Sequence, residues 1–517
     1  MLFNSYPFIF VFLPCVFAGM FLIGRHSHRL AALWIAIASL TFYACWDIRF
    51  VLLLVCSIAF NYGAGYWIGL RRAASQTLLG VMITGNLLLL GYFKYANFFI
   101  SSINQLSGGH VPAPDIILPL GISFFTFTQI AFLVDVYRGI AREYDFIHYL
   151  LFVTYFPHLI AGPILHHKQM MPQFADQATY RINPTNVTAG LSIFILGLSK
   201  KVLIADNLAD IATPIFNAVQ HGMQPMLFEA WAGTLAYSLQ LYFDFSGYSD
   251  MAIGLSLMFN IRLPVNFDSP YKAGSIIDFW RRWHITLSSF LREYLYIPLG
   301  GNRKGQSRRY ANLMATMLLG GLWHGAGWTF IAWGGLHGLY LLINHGWRNL
   351  KTRLGCEERD ATIAARALTF VAVVVAWVFF RADSFTSALT MLSGMAGANG
   401  ISLPIALGAK LAPLTANIQW LHVEYGGLLP NGIVRLETVL AGIAVSLALV
   451  WLFPNMRQIF ARYRPVWEDM NQALPARVQR PRLSWRLSPP YAWVCGAFLA
   501  LCILSLTRAT EFIYFQF

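Results

Sequence analysis

The sequence predicts an all-α polytopic membrane protein, and three observations carry that prediction. Of 517 residues, 57% are hydrophobic and only 12% are charged, whereas a soluble domain carries about 25% charged residues. Apolar runs close to the ~20 residues that a helix needs to cross the hydrocarbon recur from one end to the other. Basic residues gather between those runs, which is the pattern of positively charged cytoplasmic loops. The net charge of +14 therefore reads as loop orientation, and no nucleic-acid partner is expected.

The runs cover residues 6–23, 30–46, 50–70, 78–93, 116–134, 146–165, 187–205, 228–245, 251–261, a pair within 311–344, 363–380, 433–453 and 491–506. Several are short or interrupted by Gly and Pro. The expectation is roughly eleven transmembrane helices plus re-entrant and interfacial pieces. The first run lacks a basic leader and a small-residue cleavage site, so it reads as a span and not as a signal peptide. Arg25–Arg29, Arg71–Arg72, Arg138–Arg142, Lys200–Lys201, Arg303–Arg309, Arg348–Arg359 and Arg457–Arg486 are the candidate cytoplasmic loops. That assignment puts the N-terminus outside and sends residues 507–517 outside as well.

One membrane domain, 1–517, is expected, in three parts. Plain spans occupy residues 1–145. Residues 146–345 hold most polar residues found at membrane depth. Residues 346–517 are simpler spans around a Gly-, Pro- and Leu-rich excursion at 384–432, to which no chemical role attaches. No fixed-period repeat is evident.

His324 is the most telling residue. It sits in a membrane-grade apolar stretch among Gly320, Gly321, Gly325 and Gly327, flanked by Trp323 and Trp328. An ionisable ring at that depth is expensive and faces a protein interior, a cavity or a reaction path. Glycines there break the helix and let backbone or ligand approach closely. Helix glue and catalysis are both open readings. Residues 278–298 read as one amphipathic helix, with Phe279, Trp283, Leu287, Phe290 and Tyr294 on an apolar face and Arg281, His284, Ser288 and Arg292 on a polar one. A plain interfacial helix explains the arginines and leaves His284 unexplained. Asp244 and Asp250 lie in or beside an apolar run, where a buried carboxylate must be paired. Pairing with arginines and a catalytic role both remain open.

Two histidines with carboxylates and arginines suit proton or acyl transfer, since histidine can be tuned to act as a base near neutral pH. Ser246, Ser249, Ser288 and Ser289 are present, but no nucleophile elbow surrounds them. The histidines lack metal-ligand spacing, so no metal is expected. No phosphate-loop or dinucleotide fingerprint occurs. Five of the six cysteines lie in apolar runs and Cys356 in a basic loop; all read as buried or incidental thiols.

The run FWRRWHITLSSFLREYLYIPLGGNR at 279–303, followed by MLLGGLWHGAGWTFIAWGGLHG at 317–338, resembles the membrane-bound O-acyltransferase family, and within it the bacterial alginate O-acetyltransferase branch. LGYFKYANFF, LPLGISFFTF, YFPHLIAGPI, LYFDFSGYSDMAIGL, WVFFRADSF and the C-terminal EFIYFQF add to the likeness. It spans nearly the whole chain apart from 384–432 and 456–490. The resemblance implies a ring of helices around a central funnel, with His324 as the essential histidine and His284 as the second signature residue. Arg281 and Trp323 would support them. It further implies a bacterial inner-membrane enzyme with no bound cofactor, using a cytoplasmic thioester donor such as acetyl-CoA. The acceptor would be a secreted polysaccharide, alginate above all, reached with a periplasmic SGNH-type acetyltransferase partner. In related D-alanylation systems a small partner protein carries a tyrosine-containing tail, so Tyr514 reads either as an acyl relay or as part of an aromatic headgroup anchor. Acetylation of cellulose or peptidoglycan and D-alanyl transfer are the alternatives within the family. A proton-coupled transporter is the alternative outside it, although no inverted repeat with paired broken helices is seen.

Overall fold

The computed structural model describes the chain apart from residues 71–74, 142–144, 356–361, 404–421, 426–435, 469–482, 507–511 and 514–517. It is overwhelmingly helical. Four helices are long and apolar enough to cross a membrane: Arg49–Leu70, Gln76–Ser107, Pro184–Gln220 and Ile363–Arg381. Five shorter apolar helices join them: Phe8–Gly24, His28–Ala44, Ile122–Tyr137, Glu437–Leu452 and Pro489–Ser505. Longer, more polar helices such as Leu227–Met258 and Trp328–Arg353 accompany them, so length and composition alone do not fix the number of spans. Large apolar side chains such as Leu52, Trp67, Leu88, Leu368 and Trp493 stand exposed on the outer surface, as a lipid-facing wall requires.

The centre is the 32-residue helix Leu227–Met258, which joins two runs that the sequence analysis keeps apart. Nearly every residue of it from Glu229 onward is buried. It packs along Pro184–Ser199 through a seam of reciprocal glycines. A β-carbon on Gly190 would meet the Gly254 carbonyl at 2.5 Å, and one on Gly254 would meet the Gly190 carbonyl at 2.5 Å. Gly197 and Gly247 repeat the arrangement one heptad along. Lipid offers no hydrophobic drive between helices, so close backbone packing of this kind supplies the attraction instead. Polar pairs assist: Asn61 and Asn86 exchange amide hydrogen bonds of 3.0 and 2.7 Å across neighbouring helices.

Three expectations are corrected. Lys200 and Lys201 are not in a loop; they lie within the helical stretch Pro184–Gln220, at a π-helical turn Lys200–Ala205. The amphipathic helix at 278–298 is broken into Ile276–Arg282, Ile285–Phe290 and a π-helical turn Leu291–Tyr296. The 384–432 excursion contains a helix, Phe385–Met395, started by the Ser384 side chain accepting from Ser387 N–H. Trp231 on the central helix donates to the Met395 carbonyl at 3.0 Å, tying that helix to the core. A short parallel pair, Ile401–Leu403 with Val423–Tyr425, is the exception to the helical architecture among the described residues.

Candidate active site

His324 is the last residue of the helix Gln306–His324. Gly325 and Gly327 are extended, and the chain re-enters a helix at Trp328–Arg353. The two helices fold against each other where Gly321 and Gly334 face one another. A β-carbon on Gly334 would overlap the Met317 carbonyl, and one on Gly321 the Phe330 carbonyl. A helix ending inside a bundle leaves its last carbonyls without partners, and lipid cannot satisfy them. Here another helix does so. Tyr95 donates its hydroxyl to the Leu322 carbonyl at 3.0 Å, and the Lys94 ammonium donates to the Trp323 carbonyl at 2.5 Å.

His284 occupies the break between the two short helices and has φ of 41°. A non-glycine residue in that left-handed region is uncommon and stores strain. The fold holds it there through Asn266. Ile285 N–H donates to the Asn266 carbonyl at 3.0 Å, while Thr286 Oγ1 donates to Asn266 Oδ1 at 2.7 Å. His284 Nδ1 lies 3.3 Å from the same Oδ1. Because that oxygen only accepts, Nδ1 carries the proton by hydrogen-bonding logic, leaving the lone pair on Nε2. The His284 and His324 rings are 6.4 Å apart between centroids. Trp323 lies beside both, 4.9 Å from His324 and 6.2 Å from His284. It is fixed in turn by Phe124 and Phe127. The structure therefore brings His324, His284 and Trp323 together.

It separates the other candidates. With its helix broken at residue 284, Arg281 no longer shares a face with His284. It is exposed instead on a cavity of about 380 Å³, lined also by His166, Lys168, Thr286 and Arg457. Asp244 and Asp250 pair with lysines, not arginines. Lys201 bridges Asp244 at 2.7 Å and Asp206 at 2.8 Å, and Lys200 meets Asp250 at 2.6 Å. Tyr514 lies outside the described residues. Its neighbours Phe512 and Ile513 are buried. Ile513 N–H donates to Asp244 Oδ2 at 3.1 Å, and the Phe512 ring lies edge-on to Tyr248 and 4.8 Å from Lys201 Nζ.

His324 lines a second, narrower cavity of about 70 Å³ with Trp46, Lys94, Ser123, Phe124 and Trp323. Two residues near the site were not singled out from the sequence. Lys94 is the only charge in the helical stretch 76–107, and that isolation was the available signal. His337 is fully buried among Phe279, Trp280 and Trp333, and neither of its ring nitrogens has a hydrogen-bond partner among the described residues. The available signal was again a histidine among glycines, Gly334, Gly335 and Gly338, in the same apolar run.

Both histidines thus sit at helix breaks, His324 on the narrow cavity and His284 two residues from Thr286 on the wide one. The sequence profile of the MBOAT, membrane-bound O-acyltransferase family matches residues 29–387, and the chain belongs to that family. It is 45% identical over 432 residues to the peptidoglycan O-acetyltransferase of Helicobacter pylori, covering 78% of this chain and 81% of that one. It is 46% identical over 409 residues to the probable alginate O-acetylase AlgI of Pseudomonas aeruginosa, covering 76% and 75%. The teichoic acid D-alanyltransferase of Bacillus subtilis is more distant, 27% identical over 288 residues, covering 53% and 72%.

Proposed function

We propose that this acyltransferase moves acetyl groups from acetyl-CoA on the cytoplasmic side to hydroxyls of a secreted polysaccharide, with alginate as the acceptor. The carrying observation is the glycine break that sets His324 on a cavity wall, its ring 6.4 Å from that of His284. In this reading His324 takes the proton of the acceptor hydroxyl as its oxygen attacks the acyl carbonyl carbon. The carbonyl electrons move onto oxygen, and the collapse of that intermediate expels the leaving group, which recovers the proton from His324. General-base help of this kind contributes about a hundred- to ten-thousand-fold. His284, held by Asn266, orients the site.

The wide cavity, lined by Lys168, Arg281 and Arg457 and also by Asp268, Glu293 and Glu468, is assigned to the donor because its loops carry the inward positive bias. Trp46 and residues 118–124, at the opposite ends of their helices, line the acceptor side. The finer topology belongs to the same reading: roughly eleven crossings around a central funnel in the bacterial inner membrane, with both termini periplasmic. So does a periplasmic SGNH-type partner, which the resemblance to the alginate O-acetyltransferase branch implies. Peptidoglycan is the second acceptor reading, supported by the longer aligned stretch with the Helicobacter pylori relative, 432 against 409 residues.

The test is a deletion strain complemented with wild type or His324→Ala, with acetyl content measured on alginate and on peptidoglycan. Loss of alginate acetylation, restored only by wild type, supports the reading. Loss on peptidoglycan alone moves the acceptor. Full acetylation by a normally folded His324→Ala protein ends the catalytic assignment.

A further inference from the structure

Lys94 is an ammonium in a helical stretch with no other charge. Its partners among the described residues are the Trp323 carbonyl at 2.5 Å, Ser123 Oγ at 3.2 Å and the Trp323 ring face at 5.7 Å. None is a carboxylate. In its protonated form Lys94 has three N–H donors, so two are used and one is left. Capping the broken helix does not require a cation, because Tyr95 caps the adjacent carbonyl with a neutral hydroxyl. A cation at this depth costs several kcal/mol even on the lowest scales, so a purely structural cap would favour a residue like Tyr95. The same Lys94 lines the narrow cavity beside His324. It sits on a π-helical turn, Gly91–Tyr95, and such single-turn bulges recur at functional sites.

From these contacts we propose that Lys94 is a catalytic residue that donates its remaining N–H to the acyl carbonyl oxygen, stabilising the oxyanion that forms when the acceptor attacks. This rests on the reading of His324 as the base. The step balances without further reactants. The acceptor oxygen bonds to the carbonyl carbon and its proton passes to His324. The carbonyl π pair becomes the oxyanion held by Lys94, and the pair returns to re-form the carbonyl as the leaving group departs with the proton. Fixed donors in a water-excluded site need no reorganisation as that charge develops.

The test compares Lys94→Met, Lys94→Arg and Tyr95→Phe in the full-length protein, expressed in the deletion strain and purified in lipid nanodiscs. Acceptor acetylation is normalised to folded protein, and KM for acetyl-CoA is read from thiol release. Lys94→Met is expected to lower acetylation about a hundred- to thousand-fold, the cost of losing one oxyanion donor, with KM for acetyl-CoA within a few-fold of wild type. Lys94→Arg is expected to recover part of the rate. Tyr95→Phe, which removes only a cap, is expected to retain activity per folded molecule. Equal losses in Lys94→Met and Tyr95→Phe, or a Lys94→Met protein with normal turnover, would overturn the proposal. His324→Ala run alongside separates the two assignments. An active His324→Ala defeats the base reading, whereas an inactive His324→Ala beside an active Lys94→Met defeats the Lys94 assignment alone.

Discussion

Two seams of this bundle carry lysines on π-helical turns, and they are satisfied in opposite ways. Lys200 and Lys201 meet Asp250, Asp244 and Asp206 at 2.6 to 2.8 Å, so each cation is answered by carboxylate. The start of the C-terminal tail closes over that network through Ile513 and Phe512. Lys94 instead meets a backbone carbonyl, a hydroxyl and an indole face next to His324. A neutralised network holds helices together and offers nothing to a substrate. A cation with only neutral acceptors keeps its field for charge that arises during reaction. In the proposed reading the first seam is architecture and the second is the site.

That contrast breaks most sharply at Lys201. Lys201→Met leaves Asp244 and Asp206 without their shared cation, and breaking a buried pair costs about 3–5 kcal/mol. The expected result is a large fall in thermal stability in nanodiscs. A protein that melts normally but loses turnover would reverse the assignment of the two seams. At His324 the opposite split is expected: His324→Ala should lose at least about a hundredfold in acetylation while its melting temperature stays near wild type. Asn266→Ala tests the support behind His284. Removing a hydrogen-bond acceptor costs about 1–3 kcal/mol, and the expected loss is about tenfold or more in turnover, with KM for acetyl-CoA little changed. The smallest effect is expected at Arg281→Ala. As an exposed cation on the wide cavity it should raise the KM for acetyl-CoA only a few-fold, in a salt-dependent way. A large fall in turnover there would return Arg281 to the reacting atoms.

Much of this was legible in the chain. His324 announced itself because a histidine among glycines at membrane depth has few inexpensive explanations, and the structure puts it at a helix break on a cavity wall. The break at His284 was hidden. Phe279, Trp283, Leu287 and Phe290 keep helical spacing across it, and periodicity does not register a single residue at φ of 41°. Asp244 and Asp250 were recognised as needing partners, with arginines as the cations expected. Their lysines come from the neighbouring helix, and lie within hydrogen-bond reach because the glycine seam lets the two backbones approach closely.

By itself the sequence determined the helical membrane class, the transferase family and the two histidines, because burial cost and glycine flexibility act on each residue locally. Tertiary structure alone decided which cation lies beside His324. Arg281 and Lys94 are equally plausible as charges on a list. Only the packing of one helix against the broken end of another brings Lys94 to His324's carbonyl neighbour and turns Arg281 toward the other cavity. Contacts between residues more than two hundred positions apart are set by helix packing, and no local periodicity encodes them.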